Sequence, residues 1–155
     1  MSASSPSSPS PVSASEPKRT VMEIFESAVK KWPSLPAMKV KRGGTWQATS
    51  WSDYRKEVRQ VAKAFIKLGL EPGQGVSIIG YNSPEWFVVD IAAIFAGGVP
   101  AGIYTTSSAE QCQYITDHCD AAVAIVENKQ HLDKYLSVRD QLPKLKAIPQ
   151  NTPRC

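Results

Sequence analysis

The stretch that decides the fold runs from Gly75 to Ile103 and reads GVSIIGYNSPEWFVVDIAAIFAGGVPAGI. It opens with a short apolar run bounded by glycines, which is typical of a buried strand. Ser83 can cap the N-terminus of a helix, and Pro84 suits the first helical position, where a missing N–H costs no hydrogen bond. The helix predicted over 85–96 ends at a glycine pair, and a second extended run follows. This order predicts a βαβ unit with parallel strands.

The predicted helix over 85–96 is apolar on nearly every side, and Asp90 is the charged residue inside it. A helix of this kind is covered on most faces, so it belongs in the interior of a sizeable domain. A carboxylate in such a helix needs a partner, and we expect Asp90 to pair with a neighbouring helix or strand. A catalytic role for Asp90 is the alternative.

A helix and a β-hairpin are predicted at the start of the folded region. Thr20 and Glu23 have the spacing of a capping box, so the helix starts at Thr20. Two short strands over 37–41 and 45–49 flank a glycine pair, which indicates a hairpin. The predicted apolar face of the helix consists of Val21, Ile24, Phe25, Ala28 and Trp32.

A second, longer helix follows the hairpin. Ser50 opens it, with Asp53 as the acidic partner in the first turn. Gly69 suits the left-handed position that commonly ends a helix. Its predicted buried stripe consists of Tyr54, Val58, Val61, Ala62, Phe65 and Leu68.

The C-terminal half predicts two more helices and a third strand. Ser108 and Gln111 have capping-box spacing at the start of one helix. Residues 122–126 read as a buried strand, 128–138 as an amphipathic helix, and 144–148 as a possible fourth strand. In the amphipathic helix, we expect Leu132, Tyr135 and Leu136 to face inward and His131 to face solvent.

These elements predict the α/β class: an incomplete doubly wound parallel sheet, preceded by a disordered tail, a helix and a small hairpin. The tail spans 1–18 and is rich in Ser and Pro, so it lacks the apolar surface that folding needs. A phosphorylated Ser-Pro tail is the alternative reading. A sheet of three or four strands leaves edges that need cover, which indicates part of a larger domain.

Composition narrows the possible functions. The chain has 155 residues, a length that is enough for one ordinary domain. Hydrophobic residues make up 42% of it, and its net charge is +4. Its basic residues are scattered among acidic ones, so no nucleic-acid partner is predicted. The cysteines, Cys112, Cys119 and Cys155, are odd in number and follow no secretory leader, which indicates reduced thiols in a cytoplasmic protein. No apolar run reaches the roughly 20 residues that a transmembrane helix needs.

Few residues suggest chemistry. The loop over 80–84 follows a strand but carries one glycine, which favours a plain turn over a nucleotide site. The spacing of Cys112, His118 and Cys119 fits no zinc site. Tyr104, Thr105 and Thr106 follow a strand at its C-terminal end, where open α/β sheets bind ligands, so we predict that they face substrate. Capping and turn formation are the alternative for this run, and no catalytic, cofactor-binding or metal-binding residue is predicted.

Several segments together resemble a known family. YNSPEW (81–86), AGG (96–98) and GIYTTS (102–107) are similar to the beginning of ATP-dependent acyl-CoA synthetases of the adenylate-forming superfamily. The resemblance is closest to the bubblegum-type long-chain fatty acid–CoA ligases. It covers about 21–145, and WSDY (51–54), LGL (68–70) and VENK (126–129) fit it as well.

The resemblance implies that the parent enzyme joins a fatty acid to coenzyme A through an acyl-adenylate, with ATP and magnesium. In the family, the phosphate-binding loop and a small C-terminal domain come later in the sequence, so no catalytic residue is carried over. We expect residues 19–148 to be the N-terminal part of the AMP-binding domain, 149–155 to be a tail foreign to the family, and the isolated chain to be inactive.

The resemblance also implies a cytoplasmic enzyme that can lie peripherally on the endoplasmic reticulum membrane. Two other functions remain open at this point. The chain could be a regulatory fragment that docks on a full-length ligase through an exposed sheet edge. It could also be an independent small nucleotide-binding domain.

Overall fold

The computed structural model describes residues 18–150. Most of the predicted tail over 1–18 and of the predicted tail over 149–155 lies outside the described residues. The described part holds five α-helices and five β-strands. In chain order they are α1 Val21–Lys31, β1 Pro36–Arg42, β2 Thr45–Ser50, α2 Trp51–Lys67, β3 Gly75–Ile79, α3 Pro84–Phe95, β4 Val99–Ile103, α4 Ala109–His118, β5 Ala121–Val126 and α5 Lys129–Ser137.

The predicted βαβ unit is confirmed, and it forms the middle of the molecule. Strands β3 and β4 are parallel, with Gly75 opposite Val99 and Ile79 opposite Ile103. Strand β5 pairs in parallel with the other side of β3, which gives the order β4-β3-β5. Every residue of β3 and β5 is buried. The predicted α/β class with a parallel sheet is therefore confirmed.

Helices cover both faces of this sheet. Alternate strand residues such as Val76 and Ile78 pack in one apolar cluster with α1, α2 and α3. In that cluster Phe25 contacts the ring of Tyr54 edge-on, with 5.0 Å between ring centroids. The next residue along β3, Ile79, packs with α4 and α5 in a second cluster on the opposite face. This alternation is what a strand with a side-chain period of two requires.

The hairpin and the helix caps also match their sequence signals. Strands β1 and β2 are antiparallel, and the turn residues Gly43 and Gly44 have φ of +54° and +80°, as a two-residue turn of this kind needs. Four N-caps predicted from sequence are present: the side chains of Thr20, Ser50, Ser83 and Ser108 accept hydrogen bonds from the backbone N–H of Glu23, Asp53, Trp86 and Gln111.

The predicted apolar face of α1 is wrong in part. Phe25 and Val29 are the buried residues of this helix, whereas the exposed fractions of Val21 and Ile24 are 51% and 54%. Trp32 is also exposed and lies under the amine of Lys31. Helix α1 packs against α2 and α3 along one narrow strip of its surface. Its sequence has more apolar residues than this strip can bury.

The predicted strand over 144–148 is not a regular strand. Residues 146–150 run parallel to the outer edge of β5 and form two isolated bridges, Val123 with Ala147 and Val126 with Gln150. Pro149 lies between the two bridges; its carbonyl oxygen accepts a hydrogen bond from Val126, but it has no N–H to donate. The segment therefore covers this edge of the sheet without completing a fourth strand.

The orientation of α5 differs from the prediction in part, since Tyr135 and the partly buried Leu132 pack in the second cluster as expected. His131, which we expected in solvent, is 3% exposed, and Tyr135 is fully buried. Leu136, which we expected inward, is 56% exposed. The buried stripe is His131, Tyr135 and Val138, with the spacing i, i+4, i+7 of one helix face.

Candidate functional site

A cleft of about 450 Å³ lies where β3 and β4 end. This is the edge of a parallel α/β sheet at which ligands bind. Two of the three predicted site residues, Tyr104 and Thr105, line the cleft, and Thr106 is not among its lining residues. The full lining is Gly80, Tyr81, Asn82, Trp86, Gly102, Ile103, Tyr104 and Thr105.

The cleft is lined by aromatic side chains and by backbone at glycine positions. Trp86 stands in the first turn of α3, directly above β4, where a methyl group at Gly102 would lie 3.3 Å from the Trp86 ring. Gly102 therefore leaves room for the ring. The side chains of Tyr81 and Tyr104 are 66% and 86% exposed, so few protein contacts hold them. The cleft thus offers flat apolar surfaces and backbone polar groups.

Side chains from outside the cleft hold the two loops that form it. The N–H of Tyr81 donates a hydrogen bond to Glu127 Oε2 at 3.1 Å. The Lys134 amine donates to the carbonyl oxygens of Thr105 and Ser107, at 2.9 and 2.6 Å. Within the turn itself, the N–H of Ser107 donates to the carbonyl of Tyr104 at 3.0 Å.

His131 lies beside this turn, buried between charged neighbours. Its burial lowers the pKa of its imidazole below the usual 6.5, and the Lys134 ammonium lowers that pKa further. The Glu127 carboxylate and a hydrogen bond to the Thr105 backbone act in the opposite direction. The Nδ1 atom has no hydrogen-bond partner among the described residues. The net effect favours a neutral ring at pH 7.

A second polar group lies deep under the sheet, away from the cleft. The hydroxyl of Ser77 donates to Thr116 Oγ1 at 3.1 Å, and Thr116 Oγ1 lies 2.9 Å from the hydroxyl of Tyr135. The Cys119 sulfur lies 3.8 Å from Ser77 Oγ. Burial raises the pKa of the Tyr135 phenol to about 12, so these groups are neutral and bond to one another. This arrangement is structural.

The other residues considered from sequence show no catalytic geometry. Burial raises the pKa of the Asp90 carboxyl, and no basic side chain in the described range lies within ion-pair distance of it. The predicted pairing of Asp90 is therefore wrong. His118 stacks on Tyr114 at the surface, and Cys112 is buried. Residues 18–150 contain no group of three metal-ligating side chains.

The match to a family of known proteins decides what the chain is. The AMP-binding enzyme family matches residues 25–153. The chain belongs to this family. Among residues 18–150, no helix has the length and apolar character needed to cross a membrane.

Curated relatives of the chain are long-chain-fatty-acid–CoA ligases. It is 49% identical over 137 residues to ligase ACSBG2 of Xenopus laevis, and 45% identical over 134 residues to ligase ACSBG1 of Bos taurus. These matches cover 88% and 86% of this chain but 18% of each relative. The chain therefore spans about a fifth of the length of these relatives.

Solved structures show the same fold. The chain is similar to the anthranilate CoA ligase AuaEII in complex with anthranoyl-AMP, with a TM-score of 0.73, 25% identity, and coverage of 83% of this chain and 24% of that one. A putative long-chain-fatty-acid CoA ligase from Rhodopseudomonas palustris gives a TM-score of 0.75 at 15% identity, covering 88% of this chain and 34% of that one. Both likenesses agree with the α/β architecture described above.

Part of the cleft lining could be predicted from the sequence, whereas the residues that hold its loops could not. The position after β4 identified Tyr104 and Thr105, because strand ends can be read from local patterns. The loop-holding residues Glu127 and Lys134 lie more than 20 positions further along the chain. The VENK segment (126–129) carries part of the family resemblance, but nothing local indicates which backbone atoms Glu127 contacts.

Proposed function

We propose that this chain is the N-terminal segment of a long-chain fatty acid–CoA ligase. The observation that supports it most is the 49% identity to the Xenopus laevis ligase over 88% of this chain. In the proposed reaction of the whole enzyme, a fatty acid carboxylate attacks ATP and releases pyrophosphate. The thiol of coenzyme A then displaces AMP from the acyl-adenylate. Fatty acid, ATP and coenzyme A are the proposed substrates, and magnesium is the proposed metal.

The residues at the strand ends do not by themselves fit a triphosphate. The loop after β3 has one glycine, Gly80, for close approach of backbone to phosphate. The amine of Lys134, beside the turn after β4, is bonded to two carbonyl oxygens. We therefore derive no reaction step through ATP from these residues, and we expect the isolated 155-residue chain to form no acyl-CoA.

Tyr104, Thr105 and Thr106 are our proposed substrate-facing residues. Support comes from the place of Tyr104 and Thr105 in the lining of the cleft at the strand ends. Thr106 is included because it belongs to the same exposed turn. For the whole enzyme we propose a cytoplasmic location, peripheral to the endoplasmic reticulum membrane.

A chimeric enzyme tests the proposal. Residues 20–148 of this chain replace the matched portion of the Xenopus laevis ligase, and long-chain acyl-CoA formation from fatty acid, ATP and coenzyme A is measured. We expect the chimera to retain activity within about tenfold of the parent, a loss of at most about 1.4 kcal/mol in transition-state stabilisation. The parent ligase, expressed in parallel, is the control. A folded chimera without activity would reject the proposal.

Association with a full-length ligase is the alternative proposal. Its support is that β4 forms one edge of the described sheet, with Val99 54% exposed. Strand addition at such an edge is a known mode of binding. Mixing this chain with the Xenopus laevis ligase and measuring co-elution tests it. Separate elution at micromolar concentrations would reject the association and leave the main proposal untouched.

A further inference from the structure

The two loops that form the cleft have little structure of their own. Tyr81 and Tyr104, which follow β3 and β4, are largely exposed, so packing does not fix them. The turn after β4 has one internal backbone hydrogen bond, from Ser107 to Tyr104. Something outside these loops must therefore set their positions, because exposed loops with few contacts are the least stable parts of a fold.

Residues of α5 and of the loop before it supply that support. Lys134 donates to the carbonyl oxygens of Thr105 and Ser107, and Glu127 accepts the N–H of Tyr81. Each charge matches the polarity of the backbone group that it contacts. Hydrogen bonds with one charged partner are the stronger kind.

Helix α5, which carries Lys134, is held firmly against the core. His131 lies one helical turn before Lys134 on the same helix. It is 3% exposed and packs on the same side of α5 as the fully buried Tyr135. The helix is thus anchored in the core, while Lys134 extends from it to the edge of the cleft.

We propose that Lys134 and Glu127 are positioning residues that set the shape of the cleft from outside it. Lys134 holds the turn over 104–107, and Glu127 holds the start of the loop after β3. Neither residue lines the cleft. The relevance of this shape to a substrate rests on the proposed function, whereas the positioning itself is tested without any substrate.

Amide hydrogen exchange of the full 155-residue chain, followed by mass spectrometry, is the test. In Lys134→Met, we expect the amide of Ser107, which donates the one backbone hydrogen bond within the turn over 104–107, to exchange about tenfold faster or more, because the two charge-assisted hydrogen bonds that hold the turn are lost. Exchange in β3 stays at the level of the unsubstituted chain. Lys134→Arg keeps the charge and the donors, so it restores at least part of the protection.

Lys129→Met is the matched control. Lys129 lies on the same helix, is exposed, and pairs with Asp133 four residues away. We expect its replacement to leave the exchange of 104–107 unchanged. In an independent arm, Glu127→Ala speeds exchange at Tyr81, and Glu127→Gln, which keeps an acceptor, does so less.

Three results would overturn the inference. The first is unchanged exchange of 104–107 in Lys134→Met together with unchanged exchange at Tyr81 in Glu127→Ala. The second is an equal increase in every segment, β3 included, which would show a global loss of stability rather than local positioning. The third is an equal effect of Lys129→Met. None of these results depends on ligase activity, so the proposed function can fail or hold separately.

Discussion

The buried hydroxyl group of Thr116 offers the sharpest test of how the core is built. Thr116 is 1% exposed and lies between the hydroxyls of Ser77 and Tyr135, at 3.1 and 2.9 Å. Thr116→Val keeps nearly the same shape but removes the shared oxygen. Its partners then stay buried with fewer hydrogen bonds.

The magnitude follows from those two contacts. Each hydrogen bond contributes about 1 kcal/mol net, and a buried group left without a partner costs about 1–3 kcal/mol. We therefore expect Thr116→Val to lower the free energy of unfolding by about 2–4 kcal/mol. Thr116→Ser retains the hydroxyl and loses one methyl group, so its expected cost is about 1 kcal/mol.

Urea denaturation followed by circular dichroism measures these differences. The double variant Thr116→Val with Tyr135→Phe removes both members of the shorter hydrogen bond. It should cost at least about 0.5 kcal/mol less than the sum of the single variants, because fewer polar atoms remain unpaired. Equal losses for Thr116→Val and Thr116→Ser would refute the reasoning, since the hydroxyl would then contribute nothing. Strict additivity in the double variant would refute the coupling.

Two further predictions concern the sheet and α5. A methyl group at Gly75 would collide with the carbonyl oxygen of Cys119 and lie 3.1 Å from Ala121 Cα. Gly75→Ala should therefore lower the free energy of unfolding by about 1–3 kcal/mol or more. A change near zero would contradict this close packing of β3 against β5. Burial lowers the pKa of His131 below 6.5, so as the pH falls the imidazole is protonated in the unfolded chain before it is protonated in the folded chain. The stability that the neutral His131 ring allows is present above pH 6.5 and is lost as the pH falls through the lowered pKa. His131→Gln should therefore reduce the difference between the free energies of unfolding measured in urea at pH 5 and at pH 8. An equal difference in both proteins would contradict this prediction.

The order and type of the elements could be predicted because their signals are local. Ser83 and Pro84 begin α3, and the glycine pair after it stops the helix, all within the segment that they define. Parallel pairing of β3 with β4 follows from the connecting helix. The hairpin turn at Gly43 is equally local, since it depends on the backbone freedom of two adjacent glycines.

What could not be predicted depends on contacts distant in sequence. In α5, packing under the sheet buries His131 beside Tyr135 and leaves Leu136 exposed, which the pattern of nine residues does not indicate. The bond from Lys134 to Thr105 spans 29 positions and has no local signature. For the same reason, the sequence could point to Tyr104 and Thr105 at the cleft but not to the residues that hold them.

The central claim is that this chain supplies scaffold while the reactive groups of the proposed ligase lie in the rest of that enzyme. Its most direct test is an assay of the purified 155-residue chain, with folding checked by circular dichroism, for acyl-CoA formation from a long-chain fatty acid, ATP, magnesium and coenzyme A. The Xenopus laevis ligase serves as the positive control. We predict no product above the level without protein. Acyl-CoA that forms in proportion to the amount of the folded chain and requires ATP would contradict the account.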